Sequence, residues 1–229
     1  MTLDQILDNC QAIPEDWAPY ILNPNTTRIG DMVSWSGDSS QTTGKAPTPL
    51  TVKAVNDIRD ARHYSFMVVD GSLIQLRYIF NSHKSLITAA NLSFLKAYPD
   101  GYLSTSQIMK HGDEWDRIGF FESLPEDKPV GGFRLDYAPK DVNGPLHGEC
   151  HFHIHGLDES RLLFDKVPSP RRFVEFVFAL CYPEIYKDKR LDAKHRLKPN
   201  TNLVFLEEPK VAIPYSQFPR FARLLINGV

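Results

Sequence analysis

Apolar residues recur at helical spacing near the start of the chain, alternate with polar ones through its middle, and return to helical spacing after residue 170. Leu3, Ile6, Leu7 and Cys10 share one helical face, which predicts a helix or helix-turn-helix over residues 2–22 with a break at Pro14. Residues 23–50 are rich in Asn, Thr, Ser, Gly and Pro and read as a long irregular surface segment. Thr51 is a good N-cap for a helix over Val52–Arg62, with Val55 and Ile58 turned inward. The period then changes to two. Tyr64–Val69 and Ser72–Phe80 flank Asp70-Gly71, a hairpin signal, and Ser85–Leu95 extends the pair into a meander through a turn at 81–84. After a stretch that shows only a short element near 118–121, two more strands are expected at Phe133–Tyr137 and His147–His155. Ser169-Pro170 is a strong helix start for Pro170–Cys181, with Phe173, Phe176, Val177 and Leu180 as its core face. A strand at 202–206 and a helix at 218–226 close the list of elements. The fold class expected is α+β: a mostly antiparallel sheet, meander plus hairpin, with helices packed on one face, in a single domain spanning 1–229.

The chemistry concentrates in one strand. Four of the eight histidines, His147, His151, His153 and His155, fall within nine residues at even spacings. Side chains alternate across a strand, so all four would share one face while Cys150, Phe152 and Ile154 face the core. In the preceding strand Arg134 and Asp136 alternate with Phe133, Leu135 and Tyr137 in the same way. If the two strands pair through the loop at 138–146, Arg134, Asp136 and the histidines gather on one open face. Imidazole titrates near neutral pH and can take or give a proton, a carboxylate can fix its tautomer, and a guanidinium can hold phosphate. Metal binding by His151 and His153, with His147 or Asp136 as a further ligand, is the alternative use of such a row. A straight strand puts His151 and His155 about 13 Å apart, too far to share an ion. A row of histidines can also be no more than a solvated strand face.

Composition narrows the setting. The 229 residues, 42% hydrophobic and 24% charged with net charge −2, are ordinary for a globular protein and exclude a disordered or fibrous one. No apolar run is long enough for a membrane span, and the first residues carry no secretory pattern, so a cytoplasmic protein without membrane partners is expected. Cys10, Cys150 and Cys181 lack metal-ligand or redox spacing and read as reduced core thiols. Charge is uneven: from Arg161 to Lys198 ten Lys/Arg stand against five Asp/Glu. That stretch offers Arg171, Arg172, Lys187 and Arg190 as phosphate-binding candidates, or simply a solvated helix face.

Trp17-Ala18-Pro19-Tyr20, Asp70-Gly71-Ser72-Leu73-Ile74-Gln75, Arg134-Leu135-Asp136-Tyr137, His151–Gly156 and 169–176 together resemble an uncharacterised bacterial family, domain of unknown function 2290. The resemblance implies a bacterial cytoplasmic protein and no particular reaction. A second, local likeness covers His151–Leu157, which is similar to the His-φ-His-φ-His-φ-φ strand of histidine-triad nucleotide hydrolases and transferases. It implies that His153 stands where that family's phosphorus-attacking histidine does, with Gly156 departing from the pattern.

The function expected is a phosphodiester- or nucleotide-directed hydrolase of the RNase or phosphodiesterase kind, acting on RNA or a nucleotide. His151, His153, His155, Arg134 and Asp136 would be its catalytic set, with no cofactor or with a divalent metal, zinc or manganese. The alternative is a non-catalytic interaction module that binds a protein encoded alongside it, as in a toxin or phage-defence operon.

Overall fold

A computed structural model describes residues 1–37, 49–99, 124–141, 149–155, 162–163 and 166–191. The architecture is α+β, with an open, wholly antiparallel sheet. Its strands are β1 (Ile21–Leu22), β2 (Thr26–Ile29), β3 (Met32–Trp35), β4 (Phe66–Val68), β5 (Leu73–Phe80), β6 (Ile87–Leu95), β7 (Gly132–Tyr137), β8 (Cys150–Ile154) and β9 (Leu162–Leu163). The order across the sheet is β1-β4-β5-β6-β7-β8-β9. β4 borders the start of β5 and β3 borders its end, with β2 outside β3. The helices are α1 (Leu3–Asp16), α2 (Val52–Asp60), α3 (Pro170–Cys181) and α4 (Pro183–Leu191).

Local chemistry sets the element ends. Thr2 caps α1 reciprocally: its hydroxyl accepts from the Gln5 amide, and its own amide donates to Gln5 Oε1. Thr51 caps α2 and Ser169 caps α3, each accepting from the amide three residues on. Gly71, at φ +82°, makes the turn between β4 and β5.

Alternation divides the sheet into two unlike faces. Ile74, Leu76 and Tyr78 lie opposite Phe94, Leu92 and Ala90 of β6. These in turn face Phe133, Leu135 and Tyr137 of β7, which sit beside Phe152 and Cys150 of β8. All are buried in one core with Leu3, Ile6, Cys10, Ile13 and Trp17 of the α1 region and Phe173, Val174, Val177 and Phe178 of α3. Trp17 stacks on Phe178 at 4.0 Å between ring centroids, and Phe176 closes edge-on against Phe133 and Phe152. A smaller cluster carries α2 over the other face at one end, where Leu50, Val52 and Val55 meet Leu73 and Leu95.

Several expectations need correction. Residues 26–35, expected to be irregular, form the β2–β3 hairpin. Its two-residue loop, Gly30-Asp31, has Gly30 at φ +60°. α1 runs through Pro14 to Asp16. Leu180 is exposed, and Phe178 holds the core position. α4, β1 and β9 had no counterpart in the sequence reading. The elements expected near 118–121, 202–206 and 218–226 lie outside the described residues. Among the described residues no helix is long and apolar enough to cross a membrane.

Candidate functional site

β7 and β8 pair antiparallel, with Arg134 opposite His153 and Asp136 opposite His151. Because Phe133, Leu135, Phe152 and Cys150 are committed to the core, the period of two turns these four polar side chains to the far face together. The hairpin expected from the sequence therefore does bring them into one group.

Asp136 is its centre. One carboxylate oxygen, Oδ1, accepts from Asn91 Nδ2 at 3.0 Å. The other, Oδ2, accepts from Arg134 Nε at 2.7 Å and lies 3.5 Å from His153 Nε2 and 3.9 Å from His151 Nε2. The imidazoles of His151 and His153 meet edge to face at 4.8 Å. The Asp136 carboxylate and one nitrogen from each histidine all lie within 4.8 Å of one another. In a tetrahedral zinc site with bonds near 2.0 Å, neighbouring ligand atoms are about 3.3 Å apart. The two Asp136–histidine distances, 3.5 and 3.9 Å, are near that spacing, while the 4.8 Å span of the group is wider than a bound ion requires.

The face is not open, as the sequence reading had it. Asp136 is 7% exposed and His151 5%, while the Arg134 and His153 side chains are each 17% exposed. Burial raises the strength of every charge interaction here and requires that each charge be answered. Arg134 and Asp136 answer one another from the same strand. His155 continues the row: its Nε2 is buried with no hydrogen-bond partner among the described residues. Its pKa is lowered by burial first and then by the Arg134 charge, against a weaker opposite pull from Asp136. His155 packs close to Gly132, where an added Cβ would come within 3.0 Å of its ring.

The polar face extends further than the histidine strand suggested. Asp136 lies opposite Asn91, which lies opposite Arg77; Arg134 lies opposite Ser93, which lies opposite Gln75. Two parallel rows of four polar residues therefore cross four strands, and Gln75, Arg77 and Ser93 are all buried. Asn91, Ser93, Gln75 and Arg77 were missed because their strands read as ordinary half-polar strands. Their alternation with Leu76, Leu92 and Phe94 was visible; the register aligning them with Arg134 and Asp136 was not.

His147, expected as a metal ligand, lies outside the described residues, and Asp136 stands as the third potential ligand beside His151 and His153. The basic candidates are not gathered at this site. Arg171 is ion-paired with Asp16 at the end of α1, its Nε donating at 2.6 Å, and Arg172 is ion-paired with Glu175. Both belong to α3, which packs on the opposite, apolar face. Lys187 is on α4 and exposed; the Arg190 side chain is outside the described residues. Cys150 faces the core, away from the histidines.

A family model described as "Uncharacterized conserved protein (DUF2290)" matches residues 20–213. The chain belongs to that DUF2290 family. The match takes in all nine strands of the described residues and every polar residue of the two rows. No curated protein and no solved structure matches the chain.

Proposed function

We propose that this DUF2290 protein is a phosphodiester- or nucleotide-directed hydrolase whose reacting centre is the group Asp136, His151 and His153, with Arg134 as the phosphate anchor. The observation that carries the reading is the sharing of Asp136 Oδ2 by a guanidinium and two imidazoles. A carboxylate, two titratable rings and a permanent cation in a poorly hydrated setting are the parts that phosphoryl transfer needs: proton acceptor, proton donor and anion stabiliser. The likeness of His151–Leu157 to the histidine-triad strand agrees in pointing to His153 as nucleophile or general base. His151 and His155 then serve as acid–base or orienting partners. Burial and the Arg134 charge lower the His155 pKa and so favour its neutral form, which suits it to an orienting role.

Two versions of the chemistry share these residues. Asp136, His151 and His153 would hold zinc or manganese, leaving coordination positions for water and a phosphate oxygen; bound there, the metal supplies Lewis acidity. Alternatively, Asp136 orients His153 directly, a version favoured by the hydrogen bond that Arg134 already makes to the same oxygen.

The test is hydrolysis of RNA, single-stranded DNA, duplex DNA and dinucleoside phosphates by untagged protein, beside the His153→Ala variant. Cleavage reduced by about 10²-fold or more in the variant is the expected result. Abolition by EDTA with rescue by zinc or manganese selects the metal version. No cleavage, or equal cleavage by both proteins, overturns the hydrolase reading and leaves the interaction module.

A further inference from the structure

The polar atoms of the histidine face that are buried without a hydrogen-bond partner among the described residues include His155 Nε2 and Gln75 Oε1. Gln75 is the more informative. Its Nε2 donates to the His63 carbonyl at 2.7 Å. A carbonyl can only accept, so this bond fixes which way the amide is turned and leaves Oε1 as the group without a partner. Gln75 is 6% exposed, so an unanswered oxygen there carries a real penalty. Because Oε1 can only accept, whatever answers it must be a donor, such as a hydroxyl, an amino group, another N–H or a water.

The position of Gln75 says what that donor belongs to. Gln75, Ser93, Arg134 and His153 form one row, each opposite the next on neighbouring strands. With strands about 4.8 Å apart, Gln75 lies about 10 Å from Arg134 and about 14 Å from His153 at the Cα atoms. A phosphate held between Arg134 and His153 is too small to reach Gln75. A phosphate bearing a sugar and a base has the length to do so and carries hydroxyl and amino donors at its far end.

We infer that the row Gln75–Ser93–Arg134–His153 is a nucleoside-phosphate subsite, in which Gln75 Oε1 accepts a hydrogen bond from the sugar or base while Arg134 holds the phosphate. This rests on the placing of phosphate at Arg134 in the proposed function and adds the part of the substrate that does not react. It makes Gln75 a specificity-determining residue on β5, three strands away from the histidines.

Binding without turnover tests it separately from hydrolysis. Calorimetry with the full chain would compare inorganic phosphate, ribose 5-phosphate and adenosine and uridine 5′-monophosphates as probes. The wild type should bind at least one nucleoside monophosphate about tenfold or more tightly than inorganic phosphate. Gln75→Met, which keeps the volume but not the acceptor, should lose most of that gain while binding inorganic phosphate as before. Ribose 5-phosphate matching the nucleotides would assign the donor to the sugar; its matching inorganic phosphate would assign it to the base. Equal affinity for phosphate and nucleotides in the wild type overturns the inference, with a buried water as the partner of Gln75, and needs no variant to fold. Retention of the full gain by Gln75→Met overturns it as well. Nucleotide binding that depends on Gln75 in a protein that cleaves nothing would uphold the subsite and remove only the hydrolase reading.

Discussion

Asp136 is nearly out of water, and its charge is answered by Arg134 through a 2.7 Å hydrogen bond. Removing one member of such a pair leaves the other buried and uncompensated, which costs about 3 kcal/mol. Arg134→Met alone and Asp136→Leu alone should each lower stability by that order in urea unfolding. The double variant should be markedly less destabilised than the sum of the two. Additive losses would show that the pair does not act as a unit. Gly132 sets a second constraint at this scale, because a Cβ there would lie 2.6 Å from the Phe94 carbonyl oxygen of the neighbouring strand. Gly132→Ala must therefore part β6 from β7 and should cost about 1–3 kcal/mol. Gly131→Ala, with nothing within 4 Å of its added carbon, is the control and should be close to neutral. At this scale the sequence reading recovered Arg134, Asp136, His151, His153 and His155 as neighbours. It could not recover Gln75 or Asn91, because neither residue type marks a site until the strand register is known.

At the level of elements, the caps and turns with unambiguous chemistry were legible: Thr51, Asp70-Gly71 and Ser169-Pro170 all stand where their side chains or φ angles require. The β2–β3 hairpin was hidden because Gly30-Asp31, itself a hairpin dipeptide, sits among Asn, Thr and Ser residues that dilute the alternation. α4 was missed for want of an apolar stripe; Ile185 is buried, while Lys187 and Asp188 are exposed. The join between α3 and α4 is held by a group spread across three elements. Tyr182 and Tyr98 both donate to Asp70 Oδ2, at 2.8 and 3.0 Å, and the Ser72 amide donates to Oδ1 at 2.9 Å. Tyr182→Phe should cost about 2 kcal/mol by removing a donor from a buried carboxylate. The same burial makes stability sensitive to alkali. Burial raises the pKa of Cys10, Tyr78 and Tyr182, with the Asp70 charge adding to the rise for Tyr182. Above pH about 9–10 the unfolded chain loses these protons while the folded one keeps them, so stability falls as pH rises through that range. Urea midpoints measured from pH 8 to 11 should decline, and Tyr78→Phe or Tyr182→Phe should flatten the decline; an unchanged slope in both variants would refute this cause.

Across the whole molecule the sheet separates two tasks. One face meets α1 and α3 and supplies the apolar core, while the other carries the two polar rows, with α2 at their edge. Anything bound by the polar face and not by the unfolded chain must stabilise the fold by mass action. If Asp136, His151 and His153 hold a metal, zinc or manganese at a hundred times its dissociation constant should add about 2.7 kcal/mol. Thermal unfolding with and without metal would show the gain, and Asp136→Asn should abolish it. No shift with either ion would leave the metal-free chemistry. The basic stretch after residue 161, expected to meet phosphate, has a structural use on the other side: Arg171 binds the Asp16 carboxylate, and Lys189 Nζ donates to the Asp16 carbonyl at 2.6 Å. The first helix is thus fastened by residues that follow it by more than 150 positions in the chain. During synthesis, α1 and the nine described strands leave the ribosome before the helix that covers Phe133 and Phe152 exists. The nascent protein must therefore shelter a sheet whose oily side is covered by α1 but still bare over Phe133 and Phe152, and a stop codon just before Ser169 would make that exposure permanent, yielding a chain bound for chaperones or aggregates rather than a smaller folded protein.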